Sequence, residues 1–165
     1  MKRLFYLLPI LAVMAGCSGT NAGSGNGDRP IERTMACAAY YFQETDNGVH
    51  FTFYLTEDKE NLVQIPDDPN GMKITRYVTI EFLSASSSPQ GTYSLKGFLA
   101  HTFGKGEAIL YDNCDSSSLG PVEEGTVVIG NNSVSVTGTT ANGRSYKVTY
   151  SGPFQRTGYI NTFVR

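Results

Sequence analysis

The chain has 165 residues with 13 Lys and Arg against 15 Asp and Glu, which suits one domain around one core. No Lys/Arg run or basic patch interrupts this mild acidity, so nucleic-acid binding has no electrostatic footprint and no nucleic-acid partner is expected. No motif asks for a cofactor, and with only 2 histidines and 3 cysteines a clustered metal site is not expected either.

Met1, Lys2 and Arg3 precede an apolar run from Leu4 to Val13. That is the positive region and hydrophobic region of an export leader, too short for the roughly 20 apolar residues that span a bilayer. Met14, Ala15 and Gly16 then lead directly into Cys17, and this junction resembles the lipobox of bacterial lipoproteins. The resemblance implies that residues 1–16 are a signal peptide and that Cys17 is the lipid attachment site and first residue of the mature chain. It also implies a partner, the membrane itself, held durably when two or three acyl chains are present. Ser18 rather than Asp follows the cysteine, which resembles lipoproteins forwarded to the outer membrane. Losing Lys2 and Arg3 reduces the 13 basic residues to 11 against 15 acidic ones.

Ser18 to Asp28 contains only small and polar residues and nothing large to bury. Such a segment is a flexible tether holding the domain about 20 Å from its anchor. The expected organisation is residues 1–16 as leader, 17–29 as lipidated cysteine and tether, and 30–165 as one folded domain.

Within that domain the pattern alternates with period two. Met35 to Phe42 is apolar on both faces and predicts one strand; His50 to Glu57 predicts the next, half-buried, with Phe51, Phe53 and Leu55 on one face and His50, Thr52, Tyr54 and Thr56 on the other. Asp46, Asn47 and Gly48 between them supply the positive φ angles of a hairpin turn. Pro66 to Gly71 predicts an exposed loop, and Lys73 to Leu83 a further strand with Ile74, Val78, Ile80 and Phe82 on one face, broken by Arg76 near a strand end. Gly91 to Leu95, Phe98 to Phe103 and Glu107 to Tyr111 continue the series, the last two joined by Gly104 to Gly106. Thr126 to Ile129, Ser133 to Thr139 and Arg144 to Ser151 follow, with turns at Asn131–Asn132 and Asn142–Gly143, and Tyr159 to Val164 closes the sheet. The fold class is therefore all-β, an antiparallel meander forming a β-sandwich or a small lipocalin-like β-barrel of about 8–10 strands.

Two stretches, Pro89-Gln90-Gly91-Thr92-Tyr93 and Glu124 to Val127 continuing through Asn142-Gly143-Arg144 to Tyr150-Ser151-Gly152-Pro153, resemble small Bacteroidetes-type cell-envelope lipoproteins. Those combine a lipobox leader, a polar tether and one all-β domain, and the resemblance implies no activity. Surface-exposed members carry acidic residues just after the lipidated cysteine. Here Asp28 is the first, so the resemblance implies a periplasm-facing domain, with surface exposure as the other arrangement.

The chemistry-bearing residues are sparse. His50 and His101 fall in different segments without ligand spacing. Asp112, Asn113, Asp115 and Ser116 to Ser118 gather oxygens that calcium could use, but a solvated loop is the simpler reading. No Gly-x-Ser-x-Gly occurs, and Asp67, Asp68, Glu81, Glu123 and Glu124 read as turn or surface carboxylates rather than a glycosidase pair, so no catalytic residue is assigned. Cys37 and Cys114 either pair in an oxidising compartment or remain as a buried residue and a separate loop thiol. Tyr54 and Tyr77, on the polar faces of their strands, form a candidate platform for a glycan or protein partner, set against ordinary strand tyrosines. The expectation is a membrane-anchored envelope lipoprotein with a non-catalytic binding or structural domain; the alternatives are a carrier of a small apolar ligand and an envelope hydrolase acting on glycans.

Overall fold

A computed structural model describes residues 29–57, 76–97, 102–114 and 121–156. Cys17, the tether, the Pro66 to Gly71 loop, Ile74, His101, Asp115 and the closing Tyr159 to Val164 segment lie outside these residues. Those described contain ten strands and no helix: β1 Ile31–Met35, β2 Cys37–Thr45, β3 Gly48–Thr56, β4 Tyr77–Ser84, β5 Gly91–Lys96, β6 Glu107–Asp112, β7 Val122–Ile129, β8 Ser133–Thr140, β9 Ser145–Ser151 and β10 Gln155–Arg156. The protein is all-β.

All ten strands belong to one curled sheet in the order β1-β9-β8-β7-β5-β6-β4-β3-β2-β10. The hairpin expected around Gly48 is present, with Thr45 paired to Gly48 across a two-residue turn. Its chemistry differs from the expectation, because Gly48 alone has a positive φ there, +138°, while Asp46 and Asn47 stay at negative φ. A side chain at Gly48 would also lie 2.4 Å from the Ser84 carbonyl. The β2–β3–β4 and β7–β8–β9 meanders run antiparallel as expected.

Between them the meander breaks. β6 inserts between β4 and β5, antiparallel to the first and parallel to the second. Phe103, expected at the end of a strand, is in none. Parallel pairing recurs at both ends of the strand order, where β1 lies along β9 and β10 along β2. β1 was not expected as a strand of its own, only its Met35 falling within the expected Met35 to Phe42 strand, because its IERTM sequence interrupts the apolar pattern with Glu32 and Arg33.

Alternation explains the core. Phe51, Phe53, Leu55, Val78, Ile80 and Phe82 are fully buried on the inner face, where Phe82 stacks on Phe51 at 5.3 Å and meets Phe53 at 5.6 Å and Tyr93 at 4.2 Å with tilted rings. Each buried Phe contributes about 2–3 kcal/mol by removal from water. The half-buried reading of β3 is corrected, since Thr52, Tyr54 and Thr56 on its other face are also buried. Tyr54 belongs there to a second apolar cluster with Cys37, Ala39 and Tyr41, against which Tyr77 packs. β2 and β3 thus have two apolar faces, whereas β5 and β9 follow the half-solvated alternation.

At one end of the sheet two tyrosines fold back on their own turns. Tyr93 donates to the Pro89 carbonyl at 2.9 Å and Tyr150 to the Pro153 carbonyl at 2.7 Å. These are the Pro89–Tyr93 and Tyr150–Pro153 stretches, so their chemistry is that of capped turns beside the aromatic core.

Candidate functional site

The opposite end, where β3, β6 and β8 finish and β4, β7 and β9 begin, carries the charged residues of the interior. Arg33 shares its face of β1 with buried Ile31 and Met35, and Asp112 shares its face of β6 with Ala108 and Leu110. Arg33 Nε donates to Asp112 Oδ2 at 2.8 Å, although β1 and β6 are far apart in the strand order. Only a sheet curled over its inner face brings these strands together.

Asp112 also accepts from Tyr146 Oη at 2.8 Å and, through Oδ1, from the Cys114 amide at 2.8 Å. Three donors hold a carboxylate that is 5% exposed beside a guanidinium that is 10% exposed. Burial works against the Arg33 charge, but the Asp112 hydrogen bond and charge outweigh it and raise its pKa. Burial, then the Asp112 charge, pushes the Cys114 thiol up to about 12, and the same two causes push Tyr146 upward. Cys114 is therefore a protonated, unreactive thiol at neutral pH.

Toward solvent the network continues. Arg33 Nη1 lies 3.5 Å from Glu57 Oε1, while Arg76 Nε, just before β4, donates to Glu57 Oε2 at 3.0 Å. Glu57 is 33% and Arg76 55% exposed, so burial falls steadily from Asp112 to the rim. Arg76, which interrupts the apolar pattern, is a rim residue. The solvated-loop reading of Asp112 is corrected: its carboxylate is the buried centre of this network.

On the outer face, His50 Nε2 approaches Glu81 Oε2 to 3.2 Å and its ring sits 5.5 Å from Phe103. The charge contact is not a formed hydrogen bond, since His50 Nε2 and Thr52 Oγ1 are both buried without a hydrogen-bond partner. Among the described residues no three His, Cys, Asp or Glu side chains gather to hold a metal ion. Glu123 and Glu124 are exposed on β7, with Glu123 bulged out of the β8 register.

Tyr54 and Tyr77 do come together, at 6.3 Å between ring centres, with Tyr41 a further 6.3 Å from Tyr54. Tyr54 is only 6% exposed and Tyr77 is half-buried, so the pair packs in the outer cluster rather than presenting two open rings. Burial, then the neighbouring Tyr111, raises the Tyr77 pKa. Cys37 and Cys114 do not pair. Both are buried thiols, Cys37 on β2 and Cys114 just after β6, with β3 and β4 between those strands, and three strand steps of about 4.8 Å exceed the roughly 7 Å a disulfide spans.

Arg33, Glu57 and Tyr146 were not singled out by sequence reasoning. The available signal was spacing: Arg33 falls midway between Ile31 and Met35, and Tyr146 two residues before Val148, both on inward positions of their strands. No family model, curated protein or solved structure matches this chain.

Proposed function

We propose that this chain is a cell-envelope lipoprotein, held to a membrane through Cys17, whose β-domain is a non-catalytic binding module. The Met14-Ala15-Gly16-Cys17 junction behind a charged and apolar leader is the observation that carries it. The leaflet that fits Ser18 and the late Asp28 is the periplasmic face of the outer membrane. Confinement on a short tether raises the domain's effective concentration near envelope partners, protein or glycan, which favours binding over free diffusion. Cys17→Ala tests the anchor: the variant should leave the membrane fraction and lose its acylated amino terminus, and unchanged fractionation and mass would remove the reading.

The domain is best read as a barrel rather than a sandwich. Stepping through paired residues from Phe42 leads to Phe51, Phe82, Ala108, Leu95, Gly125, Gly138, Tyr146 and Ile31, back on the β1–β2 stretch where the path began but several residues earlier. A path that closes with such a stagger is the shear of a barrel with tilted strands. Phe51, Phe53 and Phe82 fill the interior with one another's rings, which favours a binding module over a carrier of an apolar ligand. Two capped tyrosines occupy one end, so the Arg33–Glu57–Arg76 rim is the end suited to recognition. Crosslinking and affinity purification of the anchored protein, read for proteins and bound glycans, tests this; recovery of neither would favour a purely structural role.

A further inference from the structure

We infer that the rim is an anion clamp for a carboxylate-bearing ligand, and that Glu57 occupies it as the chain's own stand-in. This rests on the binding reading above but not on the anchor. Two arginines from different parts of the chain converge on one carboxylate, one on each oxygen: Arg33 Nη1 at 3.5 Å from Oε1 and Arg76 Nε at 3.0 Å from Oε2. Arg33 has a second partner in Asp112, 2.8 Å from its Nε, which fixes the guanidinium whether or not Glu57 is present. Glu57 therefore balances Arg76 and is not required to compensate a buried charge.

The clamp is built to exchange. Glu57 follows the last residue of β3 and lies outside the ladder, and it is one-third exposed while Arg76 is more than half exposed. A guanidinium has five donors in a planar fork matched to carboxylates. The contacts to Asp112 and Glu57 engage two nitrogens of Arg33 and one of Arg76. A ligand carboxylate that displaces Glu57 meets the same two guanidinium groups, with Asp112 and Tyr146 bracing Arg33 from beneath. Glu57 and the ligand compete for one place, so the native chain binds weakly until Glu57 swings out, and specificity for the rest of the ligand comes from its surroundings.

The test is an NMR titration of the Arg33 and Arg76 side-chain Nε–H signals with sodium acetate at ionic strength held constant by chloride. Glu57→Gln should respond saturably, at least tenfold more tightly than the wild type, and adding Arg76→Gln should abolish the response. A response to chloride equal to that to acetate, or to inorganic phosphate but not acetate, would overturn the carboxylate assignment, as would a folded Glu57→Gln that shows none. Should Glu57→Gln fail to fold, the wild type at high acetate decides: saturable shifts lost in Arg76→Gln support the clamp, and their absence ends it. A partner still captured by crosslinking with a chain that ignores acetate would leave the binding reading in place and remove only this one.

Discussion

The Arg33–Asp112 pair shows how one inward charge organises its surroundings. Taking a carboxylate and a guanidinium out of water is costly, and the pair persists because Tyr146 and the Cys114 amide complete the carboxylate's hydrogen bonds. Asp112→Asn keeps the shape but turns one acceptor oxygen into an N–H donor and leaves Arg33 with only the longer Glu57 carboxylate as a charge partner, so stability should fall by about 3 kcal/mol in a urea titration. Cys114 reports on the same spot. Its thiol ionises near 9.0 when free and near 12 when folded, so the folded state retains a proton that the unfolded state loses. Between pH 9 and 12 the unfolded chain binds fewer protons, and stability from this group declines as pH rises. A denaturation series across that range should lose its downward slope in part in Cys114→Ala, and alkylation at pH 8 should reach Cys114 only after unfolding. Neither residue was legible as part of a network. Asp112 stands among loop-forming polar residues, and the pattern that buries it belongs to strands separated by 79 residues from its partner.

At the scale of elements, legibility followed locality. The hairpins around Gly48, Asn131–Asn132 and Asn142–Gly143 are encoded by adjacent residues, and all form. Parallel pairings have no turn to announce them, so β1 against β9 and β5 against β6 had no local signal. The second apolar face of β2 and β3 was hidden for a different reason: Thr52, Thr56 and Thr79 read as polar although all three are buried beside the outer tyrosines. The β7–β8 pair contains a close approach that only glycine permits. Gly125 has a φ of +153° and stands opposite Gly138, and a Cβ on it would lie 2.1 Å from the Thr137 carbonyl oxygen. Gly125→Ala must push the two strands apart beside the Glu123 bulge, and it should cost at least about 2 kcal/mol in thermal unfolding, since it combines strain at positive φ with a backbone clash. Gly143→Ala, at positive φ but with open space around it, should cost about 1 kcal/mol. Equal losses for the two would mean that the backbones separate easily at Gly125.

For the whole molecule, the decisive feature is that the chain's first described segment meets its last. β1 and β2, joined by Ala36, lie beside β9 and β10 in parallel, with Met35 opposite Tyr150 and Tyr40 opposite Arg156. The all-β class was plain from alternation, but this seam is a contact between residues more than a hundred positions apart and leaves no periodic trace. It also bears on the proposed anchor: Arg29 and Pro30 lead into β1, whose Ile31 and Met35 are buried and whose Arg33 holds Asp112. β1 is thus a structural stave rather than the end of a leash. A chain started at Ala36 loses two core side chains, five ladder pairs and the partner of a buried carboxylate, which together are comparable to the whole 5–15 kcal/mol margin of a typical domain. It should show no cooperative thermal transition by circular dichroism, whereas a chain started at Arg29 should melt as the full mature chain does. Cooperative folding of the Ala36 form would mean that the sheet stands without its seam, and the barrel reading would then give way to an open curled sheet.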